Sequence, residues 1–416
     1  MKKSILSVAS ILVYTLYMGI NEATMVESAL AKLRNECEKV EPNRLSYIEN
    51  SGKYKKLGEG SFGKVFEISP EQVVKIITLK RKDKRTDEKF AKEINGLMLE
   101  IEFMKFYDNN KKKGFKGLDL DPTYNSKIFY MLSFFGCQYL IKNDDNGVAE
   151  IKVALTLEKL DLNFDKYMKK KKDLNVIHLL EIIKKIIRGL YQMHQYGYAH
   201  LDLKPDNIMM KNPFEPVLID FGLVLPIVKT ETQLSIVDIK QAILPRNSYR
   251  GTPLYMDPNI FNGSYSFYND VYSLGVMIYE FFDIKNPLGS EYNSKTREYN
   301  RPIDNLVFPE IPKSAKEYPF QHKDFHRAKY FRSLIYWLTR RDITNRLYLD
   351  FAIEKIREIE QNFYKDCKLG ITISPDGRCF KGRKEYEKYR KGEYARFIRS
   401  MKKNKPMKKK KPMKII

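Results

Sequence analysis

His200-Leu201-Asp202-Leu203-Lys204-Pro205-Asp206-Asn207, with Asp220-Phe221-Gly222 beginning thirteen residues after Asn207, is the stretch on which the reading of this chain turns. A lone aspartate in a loop is ordinarily a turn former or a helix cap. Here two aspartates, a lysine and an asparagine stand at fixed offsets. Carboxylate and amide oxygens are the ligands that hard divalent cations take, and a lysine ammonium is a compact charge for an anionic oxygen. The segment before them, Val176–His194, carries Val176, Leu179, Leu180, Ile183, Ile186, Ile187 and Leu190 at helical spacing, a broad apolar stripe that predicts a scaffold helix.

Nearer the amino terminus stands Gly58-Glu59-Gly60-Ser61-Phe62-Gly63-Lys64-Val65, between strands expected at Tyr54–Leu57 and Lys64–Ile68. Glycines at this spacing also make plain hairpins or dinucleotide-binding turns. The latter require a helix directly after the glycines, and the β-rich run Lys64–Ile77 denies one. In this order the glycine run, Val73-Val74-Lys75 and the two acidic stretches resemble the protein kinase family. The resemblance extends from about Tyr54 to Ile356, some three quarters of the chain.

That resemblance implies an α+β, two-lobed protein kinase fold, with a small β-rich ATP-binding lobe and a larger mainly helical lobe. It implies ATP and Mg²⁺ as cofactors and serine/threonine hydroxyls of protein substrates as acceptors. Leu57, Gly58, Glu59, Gly60, Ser61, Phe62, Gly63, Lys64 and Val65 then lie over the nucleotide, and Lys75 pairs its α- and β-phosphates. Asp202 receives the substrate hydroxyl proton, Lys204 sits near the transferring group, and Asn207 and Asp220 hold metal. In Val153–Leu160, Leu157 becomes the gatekeeper and backbone groups of Glu158 to Leu160 the adenine contacts, although a bland core strand fits the same local pattern. His200 reads as a packed structural histidine. Asp270–Val276 resembles the opening of the helix beneath the catalytic loop, and Leu334–Arg346 the closing helices.

Lys75 needs a glutamate partner, and the sequence offers two. Glu93 and Glu100 lie seven residues apart on the apolar-periodic stretch Phe90–Tyr107, hence on one helical face. Spacing from Lys75 favours Glu93; Glu100 requires a long charged connection across Lys80–Lys89.

Two departures from the family pattern stand out. Leu201 replaces the arginine that precedes the catalytic aspartate, removing the guanidinium that binds a phosphorylated activation segment. The A-P-E triplet becomes Asp257-Pro258-Asn259, so Arg346 must be held by a neutral hydrogen bond or by Asp257 as a surrogate. Lys204 and Thr252 follow the serine/threonine pattern. Thr230, Thr232, Ser235, Ser248 and Tyr249 are hydroxyls of the activation segment. A small-molecule kinase of the same fold and a non-transferring pseudokinase scaffold are the rival readings; the Gly251–Asn259 platform opposes the first, and intact Lys75, Asp202, Asn207 and Asp220 oppose the second.

Lysine and arginine number 75 against 52 acidic residues in 416, a net charge of +23. Residues 381–416 hold 16 basic and 3 acidic residues, +13 of that total, leaving +10 for the rest. A block of like charge predicts a disordered arm, with an acidic partner or an anionic membrane surface as its target and solubility as its plainest role. No nucleic-acid fold is apparent. Met1-Lys2-Lys3 followed by uncharged Ile5–Ile20 reads as a signal peptide or signal anchor over 1–23, with a packed surface helix as the bland reading, and places the protein in the secretory pathway, with cytoplasm or nucleus as the alternative. The remaining organisation is an extension over 24–51, a kinase domain over 52–356 (small lobe about 52–157, hinge about 158–160, large lobe about 161–356) and a basic, largely disordered tail over 357–416. Of the cysteines 37, 137, 367 and 379, the last two can close a short loop in an oxidising lumen, where Asn262-Gly263-Ser264 is a glycosylation acceptor.

Overall fold

Contacts in the computed structural model gather the chain into two units, which are described separately. The residues described are 22–60, 63–81, 87–113, 130–145, 147–160, 162–170, 174–227, 237–238, 251–262, 264–281, 292–293, 298–299, 322–369, 379–380 and 383–403. Residues 1–21 of the leader, Ser61, Phe62, the five activation-segment hydroxyls, Gly263 of the sequon and everything from Asn404 onward lie outside them, while Glu22 and Ala23 of the leader begin α1.

The first unit draws on residues up to 115, 132–159 and 220–248. Its main elements are α1 (Glu22–Glu36), β1 (Glu38–Lys39), α2 (Pro42–Asn50), β2 (Lys55–Gly60), β3 (Gly63–Glu67), β4 (Gln72–Lys80), α3 (Asp87–Lys113), β5 (Phe134–Asp144) and β6 (Gly147–Glu158). The sheet runs β1-β5-β6-β4-β3-β2. All its pairs are antiparallel except β1 with β5. Alternation along β4 decides what faces where, because successive strand side chains point to opposite sides. Val74 and Ile76 pack with Phe66, Leu140 and Ala154 beneath Val40 and Leu45 of the extension, which leaves Lys75 on the other face. Residues 24–51 thus build part of this unit's core. Proline begins α2, where its missing N–H and fixed φ cost nothing.

The second unit contains β7 (Leu162–Asn163), α4 (Phe164–Lys170), α5 (Val176–Gln195), β8 (Tyr198–Ala199), β9 (Ile208–Asn212), β10 (Glu215–Leu218), α6 (Phe267–Glu280), α7 (His322–Leu338), α8 (Leu349–Lys368) and α9 (Arg383–Lys403). Asn175 caps α5 by accepting the N–H of Ile177 at 2.9 Å. The apolar stripe of α5 is buried along its length, against α8 and β10. Ser266 and Asn269 close a capping box at the start of α6.

The expectation of a largely disordered tail fails over α9. Tyr386, Tyr389, Arg390 and Glu393 recur at helical spacing and give this basic segment a face to bury. The Tyr386 hydroxyl donates to Glu181 of α5, Arg390 Nε lies 3.1 Å from the same carboxylate, and Tyr389 lies edge-on to His178. Charge repulsion along the helix is outweighed by this docking. Among the described residues no helix is long and apolar enough to cross a membrane. All four cysteines are paired, Cys367 with Cys379 as foreseen and Cys37 with Cys137, which was not; their Cα atoms lie 5.5 and 4.9 Å apart.

Candidate active site

In the first unit the glycine run is a hairpin. Gly58 pairs with Val65, Glu59 with Lys64 and Gly60 with Gly63. Gly63 has φ +123°, and a Cβ there would stand 2.4 Å from the Ile76 carbonyl oxygen, so only glycine lets β3 close on β4 at that point. Leu57 is exposed on β2, while Leu157 is buried near the end of β6. Glu158 is fastened by its N–H to the Ser133 carbonyl at 3.0 Å and by its carboxylate to the Ser133 hydroxyl at 2.9 Å.

Lys75 is buried, and its Nζ donates to Glu100 Oε1 and to Asp220 Oδ1, both at 3.0 Å. Burial works against its charge, but the two carboxylates override that cost and hold the ammonium above its usual range. The partner is therefore Glu100, not Glu93. The helix begins only at Asp87, and seven residues place Glu93 about 10 Å nearer the amino end of α3. Glu93 instead lines, with Glu100, Glu59, Lys64 and Gly222, a pocket of about 650 Å³. The connection length was the misleading quantity; Glu100 sits at the middle of the apolar stretch, the better guide. Asp220 has φ +61°, and the next residue, Phe221, packs its ring 4.9 Å from that of Phe103.

In the second unit Asp202 is buried and bracketed. Its Oδ2 accepts from Lys204 Nζ at 2.9 Å and Asn207 Nδ2 at 2.7 Å, and its Oδ1 from the Thr252 hydroxyl at 2.7 Å. Lys204 also reaches Thr252 Oγ1 at 2.6 Å. The Asn207 amide nitrogen bonds the Asp202 carbonyl as well, at 2.8 Å. With its N–H₂ thus committed, the amide keeps its oxygen as the atom of the kind a hard metal takes. Leu201 has φ +62°, a strained conformation for a branched residue. Buried Asp270 secures it by accepting the N–H groups of His200 at 2.8 Å and Leu201 at 2.7 Å, together with His194 Nε2 at 2.8 Å. Gly251, at φ +113°, admits the Leu201 carbonyl where a Cβ would be 2.7 Å away. His200 is buried, with Nε2 against the Ile219 carbonyl at 3.2 Å, a packed residue as expected.

The Asp257-Pro258-Asn259 departure resolves in favour of Asp257. Its carboxylate meets both terminal nitrogens of Arg346, with neither side chain exposed, and Asn259 and Asn269 each donate to it at 2.9 Å. Asn259 additionally bonds the Arg341 carbonyl at 3.1 Å.

Comparison with known proteins gives a match to the protein kinase domain over residues 125–357, more than half of the chain. Calcium-dependent protein kinase 4 of Plasmodium falciparum is 28% identical over 232 residues, 54% of this chain and 35% of that protein. The yeast MAP kinase kinase MKK1/SSP32 is 29% identical over 186 residues, 42% of this chain and 34% of that protein. A leaf rust 10 disease-resistance locus receptor-like protein kinase of Arabidopsis thaliana is 35% identical over 132 residues, 30% and 19% of the two chains. The chain thus spans about a fifth to a third of the length of these relatives. The domain match starts beyond Lys75 and Glu100 and includes their ion-pair partner Asp220.

Proposed function

The chain belongs to the protein kinase domain family, and from that premise we propose that it transfers the terminal phosphoryl group of ATP to serine and threonine hydroxyls of proteins. The observation that carries the proposal is the bracketed carboxylate: Asp202 held by Lys204, Asn207 and Thr252. Fixed by donors on both oxygens, Asp202 is oriented to take the acceptor's proton. Lys204 adds positive charge beside it, where the transferring group carries its negative oxygens. Thr252, which joins Lys204 to Asp202, supports the serine/threonine class.

Lys75, paired with Glu100, supplies the cation for the nucleotide's phosphates. Asp220 and Asn207, each within its own unit, carry oxygen atoms of the kind Mg²⁺ takes, as the family resemblance implies for both. When bound, that metal neutralises phosphate charge. The two disulfides support action in an oxidising compartment, since such bonds persist there and are rare in the cytosol. Residues 381–416, at +13, favour an anionic partner or surface by electrostatic attraction.

The test pairs a radiolabelled-phosphate transfer assay on serine, threonine and tyrosine peptides with titration of a fluorescent ATP analogue, with and without Mg²⁺. Transfer to serine and threonine peptides alone is the expected result. Nucleotide binding without transfer to any peptide or protein mixture would leave a scaffold in place of the enzyme.

A further inference from the structure

Lys75 and Glu100 stand on separate elements, a strand and a helix, so their pairing depends on what fixes α3 relative to the sheet. The amino-terminal segment touches both. Along α1, Val26, Ala29, Leu30 and Leu33 are buried at helical spacing, and this helix packs on α3. Past its apolar stripe, Lys105 of α3 donates to the Glu36 carbonyl oxygen and to Glu36 Oε2, the latter at 2.8 Å. Lys105 is five residues beyond Glu100, about 7.5 Å along the helix.

The next residue, Cys37, is bonded to Cys137 of β5. There β1 pairs with β5, Glu38 against Gln138 and Lys39 against Tyr139, and the Val40 N–H adds a bond to the Tyr139 carbonyl at 3.0 Å. The register places the cystine closely: Cys137 stands opposite Leu155 of β6, and Leu155 stands opposite Lys75 of β4. Cystine and lysine share one rank across the sheet, two strand spacings or about 10 Å apart. The links therefore close a ring from Glu100 through α3, Lys105, Glu36, Cys37, Cys137 and Leu155 to Lys75.

We infer that Glu22–Lys39 positions the Lys75–Glu100 pair, with α1 bracing α3 and the Cys37–Cys137 cystine tying that brace to the strand rank that holds Lys75. The inference rests on the kinase reading for its consequence in turnover, not for its geometry. It also suits a chain whose Leu201 provides no guanidinium for an activating phosphate: α3 is held by the amino-terminal segment of the chain.

The test uses the full chain. Cys37→Ser with Cys137→Ser removes the covalent tie without leaving a lone thiol, and Lys105→Met removes the bond to Glu36 while keeping the apolar stem. Each change is made in the wild-type background and in Glu100→Gln. Loss of either tie should lower kcat for peptide phosphorylation at least about fivefold in the wild-type background, yet less than about twofold once Glu100 is already neutral, because coupled residues are non-additive. Losses that multiply, or no loss, would overturn the inference, since a merely structural role predicts independent effects. Amide exchange over Leu97–Met104 should quicken at least about tenfold in both variants while exchange in α5 stays unchanged, local opening being separable from global unfolding. Unchanged exchange in α3 also overturns the inference. If the double serine variant does not fold, Lys105→Met decides alone. If the wild type transfers no phosphate, the kinase reading fails while exchange still judges the brace.

Discussion

Of the groups that hold Asp202, Lys204 and Asn207 lie two and five residues from it; the carboxylates that hold Lys75 lie 25 and 145 residues away. Two of the three donors in the first cluster come from one loop, whose bonds form whenever that loop takes its conformation; Thr252, 50 residues from Asp202, is the third. The second exists only while a strand, a helix and the Asp220 turn keep their places, so its electrostatics report on packing. Proteins place switches where two elements must agree, and by that criterion the Lys75 clamp is the controllable half and the Asp202 loop the constant one.

The largest effect should come from breaking the local cluster at its centre. Asp202→Asn is expected to lower kcat by about a thousandfold, within the range for general-base removal, with nucleotide affinity nearly unchanged. Peptide-phosphorylation kinetics beside ATP-analogue titration check both halves of that statement.

Sequence distance alone is not the lesson, and Asp257 separates distance from function. Its pair with Arg346 spans 89 residues but joins no reacting group. Asp257→Asn should cost about 3–5 kcal/mol of stability by leaving the guanidinium buried and uncompensated, read from denaturant unfolding. Below its unfolding transition the variant should keep a near-normal KM for ATP. A raised KM with unchanged stability would make this corner part of the nucleotide site.

A smaller effect discriminates the two glutamates of α3. Glu100→Gln should lower kcat/KM for ATP about tenfold, some 1.4 kcal/mol, whereas Glu93→Gln should change it less than about twofold. Reversal of that order would return the clamp to Glu93. Smallest of all, phosphatase treatment should change activity less than about twofold, the scale of a few tenths of a kcal/mol, because Leu201 offers no cation to an activation-segment phosphate. A tenfold fall would mean that another basic group reads it.

The same contrast explains what could be read from residues in order. The Asp202 loop was legible because its offsets are set by a single turn, and α5 because its apolar stripe needs no partner to be recognised. The choice of Glu100 was not, since periodicity fixes a helical face but leaves position along the axis open until the helix start at Asp87 is known. Cys37 and Cys137 could not be paired from spacing, because a separation of 100 residues carries no signal before strand order is known. The docking of α9 was hidden beneath its lysines and arginines. Tyr386 and Tyr389 gave the clue, a half-face of aromatics inside a charge run. The Asp257 surrogate was visible as one of two options, and only the arginine's bidentate contact chose between them.

Asp270 has a consequence on the axis of time. Its fully buried carboxylate holds two successive backbone amides of the catalytic loop, at His200 and Leu201, from within the first turns of α6. Those hydrogens can meet solvent only when the α6 end lets go, so their exchange should approach the slowest rates in the unit, those of helices that open only with global unfolding. The loop that carries Asp202 is then no looser than the helix beneath it: that carboxylate keeps an address that changes only when the whole unit unfolds.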